Sequence, residues 1–164
     1  AISNKFGSML VSTSNKSESA VGYSTLYGDM SGGFSPLKDV WKTDVVGLCY
    51  WRNKNIPSIS NFKQLNIIPK NIIIKPPTAE LRENQKDTDT LPEYKKLDKI
   101  LSLYVEEMKS ENEIIQEGYD RETVTKILNL LRKSEYKRFQ APPGPKLGKK
   151  AFGRDRMYPL TNKF

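Results

Sequence analysis

The sequence predicts an α/β chain that is mostly helical, with one or two short strands and a proline-stiffened basic end. Three observations carry this. The apolar run Met9-Leu10-Val11 is followed at once by the hydroxyl-rich Ser12-Thr13-Ser14-Asn15, the order of a short buried strand feeding a loop and then a helix. Later stretches repeat apolar residues at helical spacing. The last 29 residues, 136–164, hold eight cations against Asp155 alone, a net +7 of the chain's +8, and are broken by Pro142, Pro143, Pro145 and Pro159. Prolines at that density exclude a helix with a basic face, so the strip reads as extended cations lying over an anion. That anion is a nucleic acid, a membrane or a nucleotide.

Residues 1–6 read as the tail of an element begun earlier, stopped by Gly7. After the strand at 9–11, a helix starts near Lys16 or Ser17. The loop Gly28-Asp29-Met30-Ser31-Gly32-Gly33 lets a backbone approach a ligand closely. Pro36 marks a helix start, with Leu37, Trp41, Val45 and Leu48 recurring through about Asn53. Residues 55–77 carry Pro57, Pro69, Pro76 and Pro77 and read as irregular, with one extended piece at Ile72-Ile73-Ile74. Arg82 to Thr90 is a polar loop. Leu97, Ile100, Leu101, Tyr104, Val105 and Met108 form the cleanest amphipathic helix. Asp120 caps a last helix with the face Val124, Ile127, Leu128 and Leu131, and Lys137 follows it directly. One or two strands alone make a poorly supported sheet, so the pattern reads as part of a larger fold.

Composition narrows the chemistry. A length of 164 residues suits one domain, and 37% apolar content with a mean hydropathy of −0.62 gives it a thin core. No apolar run approaches the ~20 residues that span a bilayer, and the N-terminus does not read as a signal peptide. One cysteine, Cys49, excludes an internal disulfide framework and fits a reducing, cytoplasmic setting. The absence of histidine excludes His-based triads and the usual zinc sites from these residues. Carboxylates, hydroxyls, lysines and a hard metal ion remain.

Two constellations could use them. Thr13-Ser14-Asn15-Lys16-Ser17-Glu18 sits where a strand's carboxyl end meets a helix N-terminus. It offers a hydroxyl donor, a cation and a metal-binding carboxylate, or else a helix cap with a solvated charge pair. In Pro76-Pro77-Thr78-Ala79-Glu80-Leu81-Arg82 the double proline makes either a rigid loop beside a ligand or a plain helix start. The pair Asp87 and Asp89 resembles a metal-binding DxD but reads rather as solvated loop charge, and Cys49 as a buried, inert thiol. Ser31-Gly32-Gly33-Phe34-Ser35 lacks the aspartate and the preceding strand of a pyrophosphate cradle and is not one.

These segments together resemble the NAD synthetases. The match runs through residues 10–18, Gly22-Tyr23-Ser24-Thr25-Leu26-Tyr27-Gly28-Asp29-Met30, then residues 32–40 and Lys75-Pro76-Pro77-Thr78-Ala79-Glu80-Leu81-Arg82. It ends in Glu135-Tyr136-Lys137-Arg138-Phe139-Gln140-Ala141-Pro142-Pro143-Gly144-Pro145-Lys146 and Phe152-Gly153-Arg154-Asp155-Arg156. The basic end is similar to that of the glutamine-dependent bacterial branch. The family's SGGxDS loop, upstream of Ser12 in the full enzyme, is absent, as is a nitrilase-like glutaminase domain. Phe139 replaces an arginine often seen after Tyr-Lys-Arg, and Glu83 a common proline.

What the resemblance implies is the C-terminal portion of a Rossmann-like ATP pyrophosphatase domain at 1–135, with an extended basic tail at 136–164 packing over the deamido-NAD site. It implies a ligase, part of an enzyme that amidates deamido-NAD to NAD with ATP, Mg2+ and ammonia through an NAD-adenylate. Ammonia would come from a glutaminase domain, and the deamido-NAD pocket would be completed in a homodimer or higher oligomer. Thr13, Lys42 and Thr78 match ATP-contacting positions. Glu18 matches a carboxylate tied to magnesium or deamido-NAD, and Tyr23, Ser24, Thr25, Leu26, Asp29 and Lys137 match the deamido-NAD pocket. No nucleic-acid or membrane partner is implied, and this chain alone should be inactive without the SGGxDS loop. Two other readings stay open: a nucleic-acid-binding basic module, and a sister ATP pyrophosphatase with another substrate.

Overall fold

The computed structural model describes residues 1–77, 87 and 90–160. Among them lie eight helices: α1 (Ile2–Phe6), α2 (Lys16–Val21), α3 (Lys42–Lys54), α4 (Lys70–Ile74), α5 (Tyr94–Val105), α6 (Glu111–Gln116), α7 (Arg121–Lys133) and α8 (Glu135–Gln140). The core is built on α5 and α7. Leu97, Ile100, Leu101, Leu103 and Val105 of α5 meet Val124, Ile127, Leu128 and Leu131 of α7, joined by Ile114 from α6 and Ala20 and Val21 from α2. Each such aliphatic side chain contributes about 1.5–3 kcal/mol by leaving water. Packing therefore holds these helices more than propensity does, since twelve or thirteen residues alone are marginal. Asp120 caps α7 by accepting the Thr123 N–H at 2.8 Å, and Ser110 with Glu113 forms a capping box on α6.

The expected strand at 9–11 is neither a strand nor buried. Met9, Leu10 and Val11 are all at least half exposed, and Val11 makes only an isolated parallel bridge with Phe34. An extended apolar segment buries itself only where neighbouring strands and a covering layer exist, and among the described residues Phe34 alone pairs with it. The bridge still fixes the loop: Ser12 N–H donates to Phe34 O and Gly33 N–H to Leu10 O, each at 2.8 Å. Gly32 lies so close that a Cβ there would come 3.0 Å from Ser12 N.

Three further expectations change. The helix expected from Pro36 starts at Lys42, because 36–40 is diverted into turns, where Asp39 accepts the N–H groups of Leu147 and Gly148 at 2.7 Å. Of its apolar stripe only Trp41, just before the helix, enters the core, and α3 itself buries none of its residues. Ile72-Ile73-Ile74 is helical, not extended: it lies within α4, with Pro69 at the N-cap and Lys75 N–H donating to Asn71 O. Met108 lies beyond α5 in the left-handed region, with φ 60°, and is exposed.

The basic tail does not begin extended. Residues 135–140 form α8, where Arg138 is buried against Glu135 at 2.8 Å and donates to the carbonyls of Ser19, Ala20 and Leu131. Beyond Ala141 the chain becomes a strap across α2. Ser35 N–H donates to Pro143 O, and Lys38 Nζ to Pro142 O, each at 2.8 Å. Under the strap lies a fully buried cation. Lys16 Nζ sits 2.8 Å from Asp39, 2.7 Å from Glu106 and 2.8 Å from Lys150 O, over the ring of Trp41. A buried ammonium survives only when so surrounded.

Candidate active site

The loop before α2, the loop after it, the start of α3 and one side chain of α8 enclose a cleft of about 790 Å³. Asn15 positions the first edge. Its side chain accepts the Glu18 N–H at 3.0 Å while Glu18 Oε2 accepts the Asn15 N–H at 3.1 Å, a reciprocal capping box. Glu18 Oε1 lies 3.3 Å from Lys42 Nζ. Of the two readings of this segment the cap is seen at Glu18, which also lines the cleft, whereas the segment's cation, Lys16, is buried away from it.

The second edge is the turn after α2. Gly22 ends the helix at φ 69°, and a Cβ there would lie 2.3 Å from Ser134 Oγ, so only glycine fits. Asp29 Oδ1 accepts the Thr25 N–H at 2.7 Å and the Thr25 hydroxyl at 3.0 Å, closing the turn, while Ser12 Oγ donates to Asp29 O. Lys137 Nζ donates to the carbonyls of Gly22 at 2.6 Å and Ser24 at 2.7 Å. Neither acceptor is a carboxylate, so the lysine's charge reaches the cleft un-neutralised by these contacts.

Eight sequence-predicted residues therefore line one cavity. They are Thr13, Glu18, Tyr23, Ser24, Thr25, Asp29, Lys42 and Lys137. Leu26, half-buried, is not among its lining residues. Thr78, like Glu80 and Asp89, lies outside the described residues.

Asp87 was missed. Rather than solvated loop charge, it is 4% exposed and lines the cleft. Its Oδ2 accepts the Tyr94 hydroxyl at 2.7 Å, and its Oδ1 has no hydrogen-bond partner among the described residues. Burial, the hydrogen bond to Asp87, and the charges of Asp87, Glu18 and Asp98 hold the Tyr94 phenol far above its ordinary range, so it remains a donor. The sequence signals were its DxD spacing with Asp89 and the tyrosine seven residues on. A second cavity of about 780 Å³ lies behind this wall, lined by Val46, Cys49, Ile72, Ile74, Pro76 and Pro77. It shares Glu18, Lys42, Val45 and Asp87 with the first. Cys49 is half-buried on this cavity, not sealed in a core.

Among solved structures, the chain is similar to a glutamine-dependent NAD(+) synthetase from Cytophaga hutchinsonii, with a TM-score of 0.62 and 25% identity over 87% of this chain and 22% of that one. The fold is accordingly the Rossmann-like ATP pyrophosphatase class, of which these residues form a mostly helical part. A family model described as NAD synthase matches residues 1–141. The glutamine-dependent NAD(+) synthetases of Aquifex aeolicus and Rhodobacter capsulatus are each 54% identical, over 99% and 100% of this chain. The chain belongs to the NAD synthase family. It spans 27% and 30% of the lengths of those two relatives.

Proposed function

We propose that these residues serve an enzyme of the relatives' length that amidates deamido-NAD to NAD, consuming ATP and ammonia through an NAD-adenylate. One observation carries the reading: the cleft gathers Thr13, Glu18, Tyr23, Ser24, Thr25, Asp29, Lys42 and Lys137 in a chain of this family. Lys42 and the Thr13 hydroxyl take the ATP phosphates, and the turn at 22–29 with Lys137 takes deamido-NAD. Most of the barrier is lowered by orientation and charge. The pocket holds the nicotinate carboxylate in line with the α-phosphate, and cations offset the charge that builds there. Magnesium, when bound, would neutralise phosphate charge. A hard cation bound through one or two carboxylates and substrate phosphates suits this cleft, and Glu18 is the residue that would hold it.

The structure uses several tail cations internally: Arg138 on Glu135, Lys146 on Asp155 at 2.8 Å, and Arg156 on Tyr158 at 2.7 Å. That favours a folded strap beside a nucleotide cleft over a basic surface for nucleic acid. In the same reading 136–164 is a separate clamping segment, the ammonia comes from a glutaminase domain, a second copy completes the deamido-NAD pocket, and the setting is cytoplasmic. Among the described residues no helix is long and apolar enough to cross a membrane. The test is an assay of the complete enzyme containing these residues. AMP and pyrophosphate should appear one-for-one with NAD, only with deamido-NAD, ATP and an amine source together. Release of ADP and phosphate instead would sink the reading.

A further inference from the structure

The helix that brings Lys42 to the cleft has no cap of its own. Trp41 stands at the N-cap of α3 and makes no side-chain hydrogen bond to the helix, since an indole offers no acceptor oxygen. The first N–H groups of a helix lack intrahelical partners, and here two other helices receive them. Ser17 Oγ of α2 accepts the Lys42 N–H at 2.9 Å. Asp98 Oδ2 of α5 accepts the Thr43 N–H at 2.9 Å and the Thr43 hydroxyl at 2.8 Å. The Ser17 hydroxyl donates in turn to Asp98 Oδ1, which leaves its lone pairs for Lys42. Ser17 is fully buried and Asp98 is 5% exposed. Packing alone would not call for a carboxylate here, because these three donors are neutral and burying a charge is costly. What the carboxylate adds is a negative charge at the start of α3, where the helix dipole favours it, and a fixed origin for the Lys42 side chain.

That origin matters at the cleft. Ser17 precedes Glu18, so the bond from the Lys42 N–H to Ser17 also ties together the backbones that carry Glu18 and Lys42, whose side chains meet at 3.3 Å. Tyr94, one turn before Asp98 on α5, has its ring centre 5.7 Å from Lys42 Nζ. We propose that Asp98 and Ser17 are positioning residues for Lys42: acting on the backbone N–H groups that open α3, they hold its ammonium where the ATP phosphates arrive. The inference rests on the reading that Lys42 takes those phosphates. A lysine stem whose base is already fixed loses less freedom when the nucleotide binds.

The experiment is a double-mutant cycle in the complete enzyme, read as the Kd for ATP with magnesium by calorimetry, so that inactive variants also report. Ser17→Ala should raise that Kd about tenfold, because the cation is no longer held at its contact. In a Lys42→Met background the same change should raise it less than about twofold, since no ammonium is left to position. The Kd for deamido-NAD should stay within about twofold throughout. Asp98→Asn keeps the shape but sets a donor against Ser17. It should follow the same pattern at about threefold, the scale of a neutral hydrogen bond, and it serves where Ser17→Ala folds poorly. An equal loss in both backgrounds, or a lower melting temperature with the ATP Kd unchanged, makes the pair a structural tie and overturns the proposal. An unchanged ATP Kd in Lys42→Met alone overturns the phosphate assignment and the proposal with it. Exchange of labelled pyrophosphate into ATP by the wild type, with and without deamido-NAD, tests the amidation reading separately: its absence would overturn that reading while the coupling between Ser17 and Lys42 in ATP binding still stood.

Discussion

Lys137 has three donors, and two are engaged by the carbonyls of Gly22 and Ser24. The side chain also lines the cleft that the turn at 22–25 borders. Lys137→Ala removes both the brace and the charge from one half of the cleft. In the complete enzyme it should raise the KM for deamido-NAD by about ten- to a hundredfold, as loss of a charge-assisted contact does, and leave that for ATP nearly untouched. Initial rates with each substrate varied in turn decide this, and equal losses for both would reduce Lys137 to general support. The residue was legible in the sequence, but its posture was not. A proline-rich basic strip gives no hint that its first turn is helical, with Lys137 on the cleft and Arg138 buried on Glu135. Charge reads as exposure unless a partner is known, and two of the three carbonyls that receive Arg138 come from over a hundred residues away. Asp87 escaped for the same reason.

At the level of elements, α2 couples the cap to the site. Glu18→Gln keeps an acceptor for the Asn15 N–H, since glutamine also completes a capping box, but it loses the ion pair with Lys42. It should melt within about 0.5 kcal/mol of wild type while adenylylation slows. Glu18→Ala should lose about 1 kcal/mol of stability as well. A glutamine variant with normal pyrophosphate exchange would leave Glu18 a cap only. A second tie is Asp98 of α5, which accepts from the Ser17 hydroxyl and from both the N–H and hydroxyl of Thr43, knotting α2, α3 and α5. Burial pushes its carboxyl above the usual range, although those hydrogen bonds pull it down. A carboxyl raised in the folded state contributes stability that is fully present below its unfolded pKa and lost as pH rises through the folded one. The stability of wild type relative to Asp98→Asn should therefore fall as pH rises above the ordinary carboxylate range of about 4, read from melting temperatures over a pH series that starts below it. A constant difference would mean Asp98 titrates as it does unfolded. The helices α5 and α7 were legible because each one's apolar face is covered by the other. Periodicity reports a face and not what covers it, and α3, whose apolar residues also recur at helical spacing, buries none of its own residues.

Over the whole molecule, two faces have no apolar cover among the described residues. One comprises Ile2, Phe6, Met9 and Leu10, and the other Leu48, Trp51, Ile72 and Ile74. Exposed apolar patches of this kind belong to interfaces. The isolated 164-residue chain should therefore bind a hydrophobic dye and, given ATP, magnesium, ammonium and deamido-NAD, form no NAD, because the loop that cradles pyrophosphate in the family is not in the sequence. Turnover near that of a complete synthetase would contradict this.

The buried Lys16 also constrains the order in which the protein can be made. Its partner Glu106 lies 90 residues downstream and the Lys150 carbonyl 134. During synthesis, which proceeds at about 5–20 residues per second, the Lys16 ammonium can meet Asp39 early but lacks Glu106 and then the Lys150 carbonyl until nearly all of this sequence has left the ribosome. Closing so long a loop before its contacts form is slow. The cleft, whose first edge is the first turn of α2, is thus completed late, and a chain cut before Lys150 should keep its α5–α7 core while Lys16 lacks the carbonyl that covers it.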